Sequence, residues 1–557
     1  MGEYYDLGAY SRPVTTRSSD AQLWFDRGLM WCYGFNHDEA VRCFRRAVEH
    51  DRHCAMAFWG IAYASGPNYN KRWEDFAEPE LGEAVTTSRQ ATEAALTLLD
   101  GATPVERALI QALARRYQSA QVVSMESLGS WNDAYAASMR GVYAAFPDDL
   151  DVVALSAEAL INRTPWQLWD LKSGEPKPGA DTLEAVAMLE RALRLVDEQG
   201  LEPHAGLLHM YIHTMEMSPH PERALRAADA LRDLIPDAGH LRHMPSHIDL
   251  LCGHYYEGLV ANSGAILADR RYLANEGPLN FYTLSRCHDY HFKLYAAMFL
   301  GQYRPAMAAA HELIATIPEE LLQVTSPPMA DWLEAFVAMK VHVLVRFGRW
   351  QALIDEALPN DAELYCATTA LLHYGKGVAH AARGNIAAAE GEQRRFVAAL
   401  SRVPASRKIF NNTCVDILAI ADAMLRGEIE YRSGRHDSAF THLRKAVELD
   451  DSLPYDEPWG WMQPARHALG ALLLEQGRVE EAAQLYRADL GLDKTLSRAS
   501  QHPDNVWSLL GYVECLHRLG KHHEAAAKQA RLDLVAARAD AGITASCFCR
   551  VEGRHTE

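Results

Sequence analysis

Five histidines and a glutamate fall in two short stretches, HMYIHTME at 209–216 and HLRHMPSH at 240–247. On an α-helix, His209, His213 and Glu216 stand at i, i+4 and i+7, within roughly 60° of one face. The second stretch repeats the device with His240, His243 and His247, and Pro245 marks a helix start among them. His209 to His243 and His213 to His247 are each separated by 34 residues. Neutral imidazoles converging with a carboxylate suit zinc, copper, iron or nickel. One helix cannot wrap an ion with residues whose backbones lie about 10 Å apart, so two or three helices must supply the ligands to one or two ions. Two histidines with Glu216 would make a facial triad for non-haem iron oxygen chemistry, whereas three or four histidines suit copper or zinc. Met210, Met215, Met217 and Met244 lie among the histidines, either as soft copper(I) ligands or as packing.

Ten of the 25 histidines lie between His204 and His291, where even spreading would put roughly four, so the concentration is real. His288, Asp289 and His291 extend the series towards the next helix, while His204, His220 and His254 flank turns. Elsewhere, Cys547 and Cys549 in SCFCR form a soft ligand pair or a redox pair on a terminal tail, or an unremarkable tail. Tyr455, Asp456, Glu457, Trp459, Trp461 and Arg466 cluster in LPYDEPWGWMQPARH, either as a recognition loop or as a cap on the stack. Asn68, Asn70 and His37 are further rim candidates, His37 more simply a helix-start residue. A phosphate loop, a dinucleotide fingerprint and a G-x-S-x-G elbow are missing. Met-Tyr-Ile between His209 and His213 also removes the H-E-x-x-H of zinc proteases.

These side chains need elements to hold them, and the chain offers helices almost throughout. Segments such as DEAVRCFRRAVEHD, ERALRAADALRDLIP and DSAFTHLRKAVELD place apolar residues at three- and four-residue steps. Recurrent turns follow, at Gly34, Gly253, Gly301, Gly348, Gly384, Gly434, Gly477 and Gly520, where glycine is expected as a left-handed helix stop. A recurrence of roughly 36 to 50 residues marks a stack of helical hairpins. Trp24, Gly28, Trp31, Ala40, Phe44 and Ala47, and later Gly470, Ala482 and Tyr486, fall at the spacing of the tetratricopeptide-repeat family, which the chain resembles over most of 20–540. The histidine block with YDEPWGW is also similar to a subset of large bacterial repeat proteins of no established activity. The resemblance implies an all-α solenoid, a superhelix of tandem hairpins whose first helices line a concave groove. On that geometry the 34-residue offset sets His209, His213, His243 and His247 in a rough square on adjacent rungs, with Glu216, His240, His288 and His291 around it.

The expected organisation is an N-terminal segment at 1–19, the hairpin array at 20–540, and a tail at 541–557. Insertions are expected near 163–181, 272–286 and 451–461. A net charge of −18 argues against nucleic acid as a partner. No apolar run reaches membrane-span length, the N-terminus is polar, and ten scattered cysteines fit a reducing, cytoplasmic setting. The expectation is therefore a protein binding a transition metal (copper, iron or zinc) and acting on a small molecule by oxygen or redox chemistry, with Glu216, Tyr455, Asp456 and Glu457 as catalytic candidates. The alternatives are a metal-dependent hydrolase and a scaffold that holds a peptide or protein in its groove.

Overall fold

The structure, a computed structural model, describes residues 4–550. It is all-α: helical hairpins follow one another from Ser19–Tyr33 and His37–His50 to Val506–Arg518 and His522–Ala536. Among the described residues the strands are one two-stranded pair, Lys408–Ile409 with Asn412–Thr413. Among the described residues no helix is long and apolar enough to cross a membrane.

The repeat residues show why this sequence forms hairpins. Phe44, on the second helix, is fully buried. A Cβ on Gly28 would lie 2.7 Å from its ring, and one on Gly60, in Ala55–Ser65, 2.5 Å from it. One aromatic ring therefore locks into glycine notches on its own first helix and on the next. Tyr486 does the same later in the chain, 2.6 Å from a Cβ built on Gly470 and 2.4 Å from one on Gly511. Close backbone approach of this kind is open only to glycine.

Seven of the eight expected turn glycines are left-handed, with φ from 60° at Gly348 to 79° at Gly253. The first turn departs from the pattern. Gly34 has φ −93°, and the left-handed residue is Phe35, at φ 53°. The amide of Asn36 donates to Trp31 O (3.0 Å), the six-to-one bond that closes a helix in this way. In the other turns the corresponding residue is glycine; here a phenylalanine occupies that slot.

The helices divide into two compact units, Met1–Ile248 with Gly264–Arg286, and Asp249–Ser263 with Cys287–Glu557. The 163–181 stretch is an irregular excursion held by an isolated bridge between Trp169 and Pro176. At 272–286 the irregular part is narrow, because one helix runs to Glu276 and the next begins at Thr283. The 451–461 stretch is loop, and Tyr455, Asp456, Glu457, Trp459 and Trp461 are all buried. Within the tail, Phe548 and Cys549 are buried and Tyr486 shares a hydrogen bond with Ser546 (2.5 Å), so this part packs onto the second unit.

Candidate metal centre

Helix Ala205–Met215 is buried along its whole length, which is why its sequence is apolar on every face except for its histidines and Thr214. His204 caps it: Nδ1 accepts from the Leu207 amide (3.2 Å) and Nε2 faces Asp151 (3.1 Å). Asp151 also accepts from Tyr10, Tyr33 and Arg12; burial pushes its carboxyl up, but His204, then Arg12 and Tyr10, hold it well below the usual range. In the first turn, a Cβ on Gly206 would lie 2.5 Å from the Tyr33 ring. The helix is thereby seated against Tyr33, whose carbonyl reaches the His209 side chain.

The second histidine segment is split in two. Gly239–His243 and Pro245–Leu251 are separate short helices, because Pro245 begins the second and cannot donate to the first. Gly239 permits the approach of a neighbour: a Cβ there would lie 1.9 Å from Asp269 Oδ1. The amide of His240 donates to Tyr282 Oη (3.0 Å), which donates on to Asp269 (3.0 Å).

These two supports bring His209, His213 and His240 together, with ligand atoms all within 4.8 Å of one another. Ring centroids stand 4.7 Å apart for His209 and His213, and 5.0 Å for His209 and His240. The 34-residue register brings His213 beside His247 (5.8 Å), as expected. It is His240, however, that stands beside His209, and His243 that pairs with His247. All five are buried. They form an interior cluster rather than the lining of an open groove.

Tautomers follow from the partners. His209 Nδ1 lies 2.5 Å from Tyr33 O. A carbonyl only accepts, so Nδ1 carries the proton and Nε2 the lone pair. His213 Nδ1 faces Glu216 Oε1 (3.0 Å) and His247 Nδ1 faces Glu216 Oε2 (2.8 Å). Both imidazoles donate to one carboxylate, which again leaves Nε2 as the lone-pair atom. His209 Nε2, His213 Nε2 and both ring nitrogens of His240 are buried and have no hydrogen-bond partner among the described residues. Glu216, expected among the ligands or as a catalytic group, stands behind two imidazoles with one oxygen on each. His243 Nε2 and His247 Nε2 are 2.7 Å apart.

Burial pushes the His209 imidazolium down to about 3, against a smaller opposing effect of the Tyr33 carbonyl. Burial, then the mutual repulsion of neighbouring imidazolium charges, holds His213 and His240 well below the ordinary value. The three are therefore neutral near pH 7, the form that binds a metal.

An aromatic wall closes the cluster. The Phe35 ring lies 4.5 Å from His209, 5.7 Å from His213 and 5.6 Å from His240, stacked on the last two. Tyr69 approaches His213 at 4.8 Å and Trp166 at 6.0 Å. Among the described residues four non-glycines have positive φ, and two of them are Phe35 and Trp166. Strained backbone of this kind persists only where surrounding packing over-determines it, and it gathers at functional sites. Beyond Phe35 opens a cleft of about 440 Å³, lined also by Asn36, His37, Asn68, Lys71 and Phe281. Sequence reasoning did not identify Tyr33, Phe35, Tyr69 or Trp166 as part of the site. The one available signal was Phe35 following Gly34 in a turn that elsewhere ends on glycine.

The remaining candidates are in the second unit. His288 lies with its ring against Phe292 (4.9 Å) and Phe410 (4.7 Å). His291 Nε2 is 2.8 Å from Met462 Sδ, and burial pushes its imidazolium down to about 3. Asp456 is buried against Asn412 Nδ2 (2.8 Å), and Tyr455 donates to Glu457, so these three make contacts within the loop and its support. Cys547 and Cys549 are joined to each other as a disulfide. Met210, Met215, Met217 and Met244, in the first unit, are buried.

No protein-family model and no characterised protein sequence matches the chain. Among solved structures it is similar to the human IFIT1 dimer with m7Gppp-AAAA, at 12% identity and TM-score 0.31, covering 94% of this chain and 92% of that one. It is also similar to yeast Tom70 (13%, TM-score 0.30, 93% and 98% covered) and to the APC/C hetero-tetramer Cut9–Hcn1 (14%, TM-score 0.30, 87% and 77% covered).

Proposed function

We propose that the first unit binds a first-row transition ion through His209 Nε2, His213 Nε2 and a ring nitrogen of His240. The observation that carries the reading is the set of buried, partnerless nitrogens on three converging imidazoles, two of them with Nδ1 already fixed by an acceptor. A buried polar atom without a partner costs about 1–3 kcal/mol, and an ion would satisfy several at once. A carbonyl or carboxylate behind the imidazole is the usual outer support of a metal-bound histidine. An all-imidazole set favours copper or zinc over the iron triad, because Glu216 is engaged by ring nitrogens.

Three protein ligands leave a fourth position, the pattern of reactive rather than structural zinc. The cleft lies on the far side of the Phe35 ring from the three histidines, so a small molecule in it would reach that position only by displacing Phe35. Copper there would support redox chemistry, and zinc would acidify a bound water for hydrolysis. The test is elemental analysis of protein prepared without a histidine tag, stripped with chelator and reloaded. The parent is expected to retain metal, and His209→Asn/His240→Asn to retain far less. A parent with no metal above trace would remove this reading and leave a helical-repeat scaffold for a peptide or protein.

A further inference from the structure

Of the five clustered histidines, four have a ring nitrogen engaged: His209 on Tyr33 O, His213 and His247 on Glu216, and His243 on His247. His240 alone has both Nδ1 and Nε2 buried with no hydrogen-bond partner among the described residues. It also occupies the middle of the series. Its ring lies 5.0 Å from His209 on one side and 5.8 Å from His243 on the other, stacked nearly parallel to the latter at 26°. One terminal ligand would account for only one of its nitrogens.

The second feature is the His243–His247 pair. Glu216 fixes the proton of His247 on Nδ1, so Nε2 presents its lone pair to His243 Nε2, 2.7 Å away. That separation is an ordinary hydrogen-bond distance, and it is also close to the roughly 2.8 Å between two adjacent nitrogens about 2.0 Å from a square-planar copper(II) ion. Ser246 Oγ, 3.5 Å from His243 Nδ1, stands where it can accept a proton from that nitrogen.

Resting on the single-ion reading above, we propose that the centre is dinuclear. His243 Nε2 and His247 Nε2 hold a second divalent ion, and His240 bridges the two ions with one ring nitrogen on each. The bonds and protons balance without a co-reactant. The His243 proton moves from Nε2 to Nδ1, facing Ser246, and frees Nε2 for the metal. The single N–H proton of His240 leaves to solvent as the second ion binds, and its ring then carries two nitrogen lone pairs. Glu216 keeps accepting from His213 and His247, one of which serves each ion. A bridging imidazole also couples the ions electronically, which gives a readout that simple structural histidines would not produce.

The test is a Cu2+ titration of the full-length, tag-free, chelator-stripped chain, followed by metal analysis and spin-counted electron paramagnetic resonance. The proposal expects two copper ions per chain, with the integrated signal at two equivalents falling below that at one because the ions are coupled. His243→Gln/His247→Gln is expected to bind one ion and give a full one-spin signal. His240→Gln is expected to lose the coupling, so that every copper it still binds is counted. Far-ultraviolet circular dichroism checks that each variant keeps its helices, and the parent spectrum decides the matter if one does not. One copper per chain, or two with full uncoupled intensity, would overturn the bridge while leaving the single-ion reading standing. No copper would remove both.

Discussion

Glu216 marks the difference between what spacing suggests and what contacts assign. At i+3 from His213 it reads as a ligand on the same face, yet its two oxygens face the Nδ1 atoms of His213 and His247. The negative oxygens fix two tautomers at once and point two lone pairs away from the carboxylate. Glu216→Gln keeps the size but replaces one acceptor with an N–H2 donor, so one imidazole must move its proton to Nε2, where it blocks the metal. The expected result is a 10- to 100-fold loss of metal affinity with little change in helix content, measured by competition with a chelator of known affinity. Affinity within about twofold of the parent would show that Glu216 does not position the ligands. The residue types were legible in the sequence. The division between ligand and support was not, because it depends on which oxygen faces which nitrogen across 31 residues.

At the scale of elements, the sequence made the helices and nearly all the turns plain. Apolar periodicity and glycine stops are local, and local signals survive folding. The Phe35 turn was the exception, since a phenylalanine with φ 53° is invisible to a rule that seeks glycine. The pairing of His209 with His240 was hidden for a similar reason: Pro245 breaks the segment in two, and a strict 34-residue register assumes one continuous helix. The helices that carry His209 and His240 are each seated by a glycine in the first turn. Gly206→Ala would drive a methyl into the Tyr33 ring at 2.5 Å, and Gly239→Ala would drive one into Asp269 Oδ1 at 1.9 Å. Each shift is transmitted to a ligand, through the Tyr33 carbonyl to His209 and through the helix start to His240. Each substitution is expected to weaken metal binding by tenfold or more, although neither residue touches an ion. Gly141→Ala is the control. It sits inside Met125–Ala145 with nothing within 4 Å of the added Cβ, and it should raise stability by about 0.5–1 kcal/mol. Isothermal titration of the three variants separates seating from general stability, and equal affinity in all three would remove the seating role.

Across the whole molecule, the division into two compact units was not legible, because the units interleave along the chain: Asp249–Ser263 of the second lies between Met1–Ile248 and Gly264–Arg286 of the first. The second unit carries its own electrostatic load, independent of the histidine cluster. Asp450 ends the helix His436–Asp450 and is buried, with Oδ1 accepting from Trp459 Nε1 (3.1 Å) and Oδ2 from the Ala465 amide (3.0 Å). Burial outweighs both hydrogen bonds and pushes its carboxyl up to about 7. A helix C-terminus also disfavours negative charge. The folded state thus holds a proton that the unfolded chain releases near pH 4. Unfolding is then favoured progressively as pH rises from about 4 to about 7, because the unfolded state binds fewer protons there. The stabilising contribution is complete below pH 4 and lost above 7, with a span on the order of 4 kcal/mol. Asp450→Asn keeps a neutral side chain at every pH. Its stability is expected to start lower than the parent's at pH 5, since one acceptor is lost, but to decline from pH 5 to pH 8 with a slope shallower by about one proton. Urea unfolding at a series of pH values reads that slope directly, and parallel slopes for parent and variant would mean that Asp450 is ionised in the folded state throughout.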